Sequence, residues 1–172
     1  SPLRVCLGQG IVKGSGFDGI VRKSVELGVD KVVPVSASRC ISKLSQEDAT
    51  KKMDRWRRIA TAASKQCGRS RIPSIGPKSA SVKEFCFFNC ESDIKLIFWE
   101  EERSIRIKDL SYKNQHKSAA ILIGPEGGFS SKEVENSKKY GFQSVSLGPR
   151  LLKTDTAPLA AISILQNHWG DL

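Results

Sequence analysis

The sequence has no long apolar run, and its few cysteines and histidines are scattered along the chain. No apolar run approaches the ~18–20 residues that cross a bilayer, so a membrane-spanning chain is not expected. The five cysteines are odd in number and scattered, which argues against a disulfide framework and predicts a reducing compartment. Cys86 and Cys90 have no second pair or nearby histidine, and His116 and His168 stand far apart. We therefore predict no bound metal.

Acidic residues are scarce relative to basic ones. Eighteen Asp and Glu against twenty-eight Lys and Arg give a formal net charge of +10 and a pI near 9.6. A basic chain attracts polyanions, so nucleic acid is the expected partner, with solubility alone as the alternative. Six basic residues on or just after a predicted long helix are candidates for phosphate contact: Arg55, Arg57, Arg58, Lys65, Arg69 and Arg71. A solvated helix face is the competing interpretation.

Hydrophobic patterning predicts strands and helices in alternation. Strands are expected at 3–7, 31–35, 72–75, 94–99, 119–123 and 142–147. A glycine-rich turn is expected at 8–16, directly after the first strand. Helices are expected between Gly16 and Gly28, from a cap at Ser45 to Gly68, at 82–87, from a capping box at Ser130 to Gly141, and at 157–168. This order predicts a single α/β domain, 1–172, with a mainly parallel sheet and helices on both faces.

Two glycine-bearing loops follow predicted strands near the C-terminus. They read GPEGGFS at 124–130 and LGPRLLKTDTA at 147–157. Glycine lets the backbone approach a ligand closely, and parallel sheets bind ligands at the carboxyl ends of their strands. Neither loop has the GxGxxG spacing of a dinucleotide site or the GK[ST] of a P-loop. We expect the loops to lie on adjacent strands and form one ligand site; the alternative is a pair of tight turns.

Four segments together closely resemble the RsmE family of ribosomal RNA small-subunit methyltransferases. They are KSVELGV at 23–29, WRRI with ASKQCGR at 56–69, GPEGGFS, and LGPRLLKTDTAPLAA at 147–161. Members methylate N3 of a uridine in small-subunit ribosomal RNA and belong to the knotted SPOUT superfamily. This chain departs from the family's usual pattern at Asp155, where Glu is common, and at Lys153, where Arg is frequent.

The resemblance implies a C-terminal deep trefoil knot that holds S-adenosylmethionine, and a homodimer that acts on ribosomal RNA. The apolar stripe Leu159, Ile162, Ile164 and Leu165 is expected to form either that dimer contact or ordinary core. The chain opens SPLR without Met, so we expect a mature form or an excised fragment that lacks the family's N-terminal PUA-like domain. Residues expected to bind the cofactor are Trp99, Glu100, Ile123, Gly124, Glu126, Gly127, Gly128, Leu147, Gly148, Leu151, Leu152, Thr156 and Ala157.

The expected catalytic residues are Arg150, Lys153 and Asp155. Methylation at uridine N3 requires stabilisation of a developing anion, which Arg150 is expected to supply with support from Lys153. Asp155 is expected to orient Arg150 or to accept the proton. The alternative is a structural role, in which it caps a helix or complements the charge of the helix N-terminus. Glu126 is expected either to organise the loop that contains it or to act as a catalytic base.

Two other functions remain open at this stage. One is a knotted methyltransferase that modifies another RNA position, such as a ribose 2′-hydroxyl. The other is a catalytically inactive RNA-binding or ribosome-assembly protein. For each of them we expect an intracellular, reducing location, either cytoplasmic or organellar.

Overall fold

The computed structural model describes residues 1–40, 46–77, 79–110 and 115–172. Strands and helices alternate along this part of the chain, as the hydrophobic pattern predicts. The strands are β1 (Arg4–Gly10), β2 (Val29–Ser36), β3 (Ser74–Ile75), β4 (Ala80–Ser81), β5 (Ile94–Phe98), β6 (Ser118–Ile123) and β7 (Gln143–Val145). The helices are α1 (Gly16–Glu26), α2 (Gln46–Gln66), α3 (Val82–Phe88), α4 (Ser131–Lys138) and α5 (Ala157–Trp169), with a 3-10 turn at Ile107–Asp109.

The strands form one parallel sheet in the order β3-β2-β1-β6-β5-β7, and β4 adds a short parallel pairing to β2. β1 and β6 occupy the middle, in register from Arg4 opposite Ser118 to Gln9 opposite Ile123. Residues 119–123 of β6 are all buried, because a central parallel strand is covered on both faces. The predicted α/β class with a mainly parallel sheet is confirmed.

Helices cover both faces of this sheet. Side chains of α1, α2 and α5 pack against one face of the sheet and form the larger core cluster with it. In this cluster Phe17 stacks on Trp56, with ring centroids 4.1 Å apart. Side chains of α3 and α4, among them Phe85 and Val134, pack into a second cluster on the other face. The predicted two-sided architecture is therefore correct. The trefoil knot implied by the resemblance stays a prediction.

Local signals fix several helix ends where they were expected. Gly28 follows α1 with φ of +88°, a conformation that only glycine adopts without strain. Ser130 and Glu133 form both hydrogen bonds of the predicted capping box at the start of α4. The predicted cap at Ser45 lies outside the described residues.

The apolar stripe of α5 is divided between core and surface. Ile162 and Leu165 are fully buried within the chain, so they are core residues and not part of an interface. Leu159 and Ile164 are half-buried. A dimer contact through this helix would therefore use Leu159 and Ile164.

Two expectations about the sheet are wrong. β1 runs through Gly10 instead of ending at residue 7, so Gly8 and Gly10 are strand residues and not part of a turn. Glycine is required at both because a Cβ would lie 2.8 Å from Phe85 Cε2 at Gly8 and 2.3 Å from Pro125 N at Gly10. The strands preceding the two glycine-bearing loops are not adjacent either, because β5 lies between β6 and β7.

The five cysteines are free thiols. Burial raises the pKa of Cys6 and of Cys86 to about 12, so both remain protonated at neutral pH. Across 1–40, 46–77, 79–110 and 115–172, no group of three His, Cys, Asp or Glu is placed to hold a metal ion. No helix in those ranges combines the length and hydrophobicity needed to cross a bilayer.

Candidate functional site

A cleft of about 830 Å³ lies where β1, β5, β6 and β7 end at their carboxyl termini. This volume falls within the range of small-molecule sites. Four loops line the cleft: the β1–α1 loop, the segment after β5, the GPEGG loop (124–128) after β6, and the segment 146–157 after β7. Parallel strands deliver these loops to the same edge of the sheet, which is where open α/β sheets bind ligands.

The cleft brings together most of the residues expected from sequence. Lining residues include Trp99, Glu100, Ile123, Gly124, Glu126, Gly127, Gly128, Leu147, Gly148, Arg150, Leu151, Leu152, Lys153, Asp155 and Ala157. Thr156 is outside the lining, because it serves as the N-cap residue of α5 and its hydroxyl donates to Asp155. It is the one expected cofactor residue that the structure does not bring to the cleft.

The β1–α1 loop contributes a wall that sequence reasoning missed. Val12, Lys13 and Gly16 line the cleft, as do Arg103 and Thr154 from other loops. A signal was present, since a glycine-bearing turn directly follows an apolar strand here as it does after β6.

The GPEGG loop is folded tightly against the segment after β5. Gly128 has φ of +67°, and a Cβ on it would lie 1.7 Å from Glu100 Oε1. A Cβ on Gly124 would lie 3.1 Å from the Gly128 Cα, so the loop also folds closely on itself. Glycine at these positions therefore allows two walls of the cleft to touch.

Beside the cleft, a partly buried clasp joins the end of β1 to two of the loops, and it consists of Gln9, Thr154 and the carbonyl of Gly124. The Gln9 Nε2 donates to Gly10 O at 3.2 Å and to Thr154 Oγ1 at 3.4 Å. The Thr154 hydroxyl in turn donates to Gly124 O at 2.5 Å. Because both partners of Gln9 need a donor, the amide orientation is fixed, and its buried Oε1 has no hydrogen-bond partner among the described residues. The clasp ties the ends of β1 and β6 to the segment after β7.

Hydrogen bonds to two carboxylates, Glu126 and Glu133, hold the loops around the mouth of the cleft. Glu126 is exposed, and its carboxylate accepts a 3.0 Å hydrogen bond from the Lys13 backbone N–H, which matches the loop-organising alternative for this residue. Glu133 accepts from Ser38 N at 2.8 Å and from Ser38 Oγ at 2.7 Å. Partial burial raises the pKa of Glu133, but hydrogen bonds from Ser130 and Ser38 outweigh that effect and leave it below its usual value. The carboxylate is therefore charged at neutral pH and links the turn after β2 to α4.

The wall after β5 is fixed to β7. The backbone N–H of Trp99 donates to Val145 O at 3.1 Å, and the Glu102 carboxylate accepts a hydrogen bond from Ser144 Oγ at 2.6 Å. The hydrogen bond from Ser144, followed by that from the Ser104 N–H, lowers the pKa of Glu102. The indole Nε1 of Trp99 is buried and has no partner in the described structure. Trp99 lines the cleft, so this donor suits a ligand with a hydrogen-bond acceptor.

Opposite charges balance in the cleft lining. Its cationic side chains are Lys13, Arg103, Arg150 and Lys153, and its carboxylates are Glu100, Glu101, Glu126 and Asp155. Within the described residues, Arg150 and Asp155 do not form a salt bridge with each other. The geometry therefore gives no support to Asp155 as the residue that orients Arg150.

The six basic residues expected to contact phosphate are not equivalent. Arg57, Arg58 and Lys65 line one shallow depression on the outer face of α2, which we call the α2 face. Arg55 pairs with Asp18. Arg69 is half-buried and donates to the carbonyls of Val25 and Val29, a structural role between α1 and β2, and Arg71 is exposed.

The sequence and fold match known methyltransferases. Residues 1–166 match the RNA methyltransferase domain family. Ribosomal RNA small subunit methyltransferase E from Buchnera aphidicola is 37% identical over 172 residues, which cover 100% of this chain and 68% of the relative. A protein from Legionella pneumophila solved in complex with bound SAM superposes with a TM-score of 0.91 at 38% identity, covering 99% of this chain and 69% of that one.

A third relative combines the name and the ligand. Ribosomal RNA small subunit methyltransferase E from Neisseria gonorrhoeae, bound to S-adenosyl methionine, has a TM-score of 0.88 at 36% identity. It covers 99% of this chain, which in turn spans 68% of that protein. The agreement extends from β1 to α5 and includes the parallel SPOUT-type sheet. The chain therefore belongs to the RNA methyltransferase family that contains ribosomal RNA small subunit methyltransferase E.

Proposed function

We propose that this chain is an S-adenosylmethionine-dependent methyltransferase domain that modifies small-subunit ribosomal RNA at N3 of a uridine. The observation that carries the proposal is the cleft, which gathers the expected glycines and Arg150 in a fold that superposes on a SAM-bound relative with a TM-score of 0.91. The relatives' names support small-subunit ribosomal RNA as the substrate class. The N3 position rests on the family resemblance.

The cleft lining fits the chemistry of this cofactor. Trp99 offers a buried N–H donor without a partner, suited to an acceptor on an adenine or ribose. Apolar side chains of the lining, among them Val12, Ile123 and Leu152, provide surface for a flat ring. The four carboxylates of the lining suit the cofactor's positive sulfonium and ammonium groups. The cofactor, when bound, supplies an electrophilic methyl group.

Arg150 is positioned to act on the RNA base. It is exposed, lines the cleft and makes no salt bridge within the described residues. Arginine does not lose its proton in proteins, so it cannot be the base. Its guanidinium can instead donate to the uridine carbonyl oxygens, on which negative charge accumulates as N3 loses its proton.

The proton on N3 must leave as the N–C bond forms. Asp155 lines the cleft, is exposed and does not pair with Arg150, so its carboxylate is available to accept that proton. Lys153 lines the same cleft and adds positive charge. The N-cap position of α5 belongs to Thr156, which disfavours a capping role for Asp155.

We also propose a homodimer. Leu151, in the segment after β7, is 82% exposed, and burying such a side chain in a partner would stabilise the pair. The half-buried Leu159 and Ile164 of α5 offer further apolar surface. The compartment we propose is one that contains ribosomes and keeps thiols reduced, either the cytoplasm or an organelle.

The proposal is tested by incubating the chain with radiolabelled S-adenosylmethionine and unmodified small-subunit ribosomal RNA, then digesting the product for mass spectrometry. A methyl group on N3 of a uridine is the expected result. A methyl on a ribose 2′-oxygen would replace the proposed target atom. No transfer by folded chain that binds the cofactor would favour an RNA-binding or assembly role.

A further inference from the structure

The turn 37–40 that follows β2 is held rigidly beside the GPEGG loop. Cys40 N donates to Ala37 O at 3.0 Å, and Ala37 N contacts the Cys40 Sγ at 3.3 Å. The Ser38 backbone and hydroxyl both donate to Glu133, whose lowered pKa keeps it charged. These contacts fix the backbone of the residue between them, Arg39, with respect to α4.

Arg39 lies directly over the GPEGG loop. A Cβ on Gly127 would lie 3.0 Å from both the Cβ and the carbonyl oxygen of Arg39, so the turn packs on that glycine. The exposed guanidinium donates from Nη1 to Gly127 O at 3.3 Å. A guanidinium carries five N–H donors, so the bond to Gly127 O leaves most of its donor capacity for a ligand as far as the described residues are concerned.

The cleft lining itself has no surplus of positive charge with which to attract RNA. It carries equal numbers of cationic side chains and carboxylates, so the lining alone offers no net positive field. Arg39 adds a positive charge at the rim of the cleft and forms no ion pair within the part of the chain that the structure describes. Its planar fork also matches the geometry of a phosphate group.

We propose that Arg39 binds a phosphodiester of the RNA strand whose base enters the cleft. The inference rests on the proposed function and adds a substrate-contacting residue to it. The rigid turn lets the guanidinium meet the phosphate with little loss of conformational freedom. Arg39 is expected to contribute to RNA binding and not to cofactor binding, because it lies outside the cleft lining.

The test compares Arg39→Gln, Arg39→Lys and the control Arg4→Gln. Arg4 is exposed at the amino end of β1, the edge of the sheet opposite the cleft. Binding of a fluorescein-labelled oligouridylate is titrated at several salt concentrations, beside calorimetric titration with S-adenosylmethionine. KM and kcat are then measured on small-subunit ribosomal RNA.

For Arg39→Gln we expect RNA affinity to fall about 3- to 5-fold, the scale of one exposed ionic contact. The slope of log K against log salt should shrink by about 0.7, the value for one phosphate on a single strand. KM for RNA should rise by the same factor with kcat and cofactor affinity unchanged. Arg39→Lys should restore the salt slope, and Arg4→Gln should match the wild type.

An unchanged salt slope in Arg39→Gln, with wild-type chain that binds RNA and methylates it, would overturn the assignment and leave the proposed function intact. A weaker cofactor affinity in that variant would also overturn it, because the residue would then serve the cofactor. A wild-type chain that binds neither S-adenosylmethionine nor RNA would overturn both the assignment and the proposed function.

Discussion

The cleft and the α2 face both carry charged side chains, but only the cleft surrounds them with loops that directional hydrogen bonds hold in place. At the cleft, the Thr154 hydroxyl is fixed between Gln9 and Gly124. Outside the lining, Glu133 is held by four hydrogen bonds from the Ser38 and Ser130 N–H and hydroxyl groups. On the α2 face, Arg58 and Lys65 are exposed side chains of a regular helix. A charge that fixed loops present in a half-enclosed site affects function strongly, whereas a charge on an open, solvated helix face contributes weakly and additively.

Substitution of Arg150 should separate the two regions most strongly. Arg150→Ala is expected to lower kcat by about 10²- to 10³-fold, the usual cost of removing one donor to a developing oxyanion. Cofactor affinity should change little, since the role concerns the RNA base. Single-turnover methylation and calorimetry measure the two quantities, with Arg58→Ala as the matched control on the α2 face. Wild-type turnover by the Arg150 variant would remove this residue from the mechanism.

Substitution of Gly128, where the GPEGG loop meets the segment after β5, should have the next largest effect. In Gly128→Ala, the strained φ of +67° costs about 1–3 kcal/mol, and the new Cβ displaces the Glu100 carboxylate. We expect S-adenosylmethionine affinity to fall about 5- to 150-fold if that energy is lost from the binding-competent state. Titration calorimetry measures the affinity.

A matched control for that substitution exists after α2. Gly68 has φ of +75°, and a Cβ on it would meet nothing within 4 Å. Gly68→Ala should therefore lower thermal stability through backbone strain alone and leave cofactor affinity unchanged. Equal losses of affinity in both variants would show that general destabilisation, and not the contact with Glu100, is responsible.

The clasp should show a smaller and coupled effect. Thr154→Val removes the donor to Gly124 O and keeps the side-chain shape, so cofactor affinity should fall about 5- to 10-fold, the value of one or two neutral hydrogen bonds. Gln9→Leu should have a similar effect, and the double variant should lose less than the product of the two. Thr154→Ser should restore binding.

Additive effects of the two substitutions on cofactor affinity would contradict the proposal that the clasp acts as one unit. If Gln9→Leu and Thr154→Val reduce cofactor affinity independently, the two side chains do not act through one junction. The control is Ser137→Ala, which removes a buried hydroxyl from α4 away from the cleft. It should reduce stability and leave cofactor affinity unchanged.

The α2 face should give the smallest effect. Arg58→Gln and Lys65→Gln are each expected to lower RNA affinity about 2-fold, within the range of exposed ion contacts. Their effects should add and weaken as salt rises. Filter binding with small-subunit ribosomal RNA measures them. A 10-fold loss from either single change would place a fixed phosphate site on this helix and remove the contrast with the cleft.

The sequence predicted what depends on local pattern. The apolar run of β6, the capping box at Ser130 and the two C-terminal glycine loops each carry their signal within a few residues. The position of β5 between β6 and β7 carries no such signal, because strand order is decided by packing across the whole sheet. The wall after β5 was nevertheless expected from the family resemblance.

The rest of the site depends on contacts between distant segments. Gln9 meets Thr154 across 145 residues, and Arg39 meets Gly127 across 88, so neither pair has a local signature. The glycines of β1 were misread as a turn because their reason is the approach of Phe85 and Pro125, which sequence spacing does not show. The structural role of Arg69 was hidden in the same way, since the carbonyls it binds precede it by about forty residues.

Calorimetric titration of the chain with S-adenosylmethionine and with S-adenosylhomocysteine tests the assignment of the cleft most directly. We predict saturable binding of both near one per chain, with Gly128→Ala weaker than Gly68→Ala. Absence of saturable binding by a folded sample would contradict the cleft as a cofactor site. Equal binding by the wild type and both glycine variants would place the cofactor elsewhere on the chain.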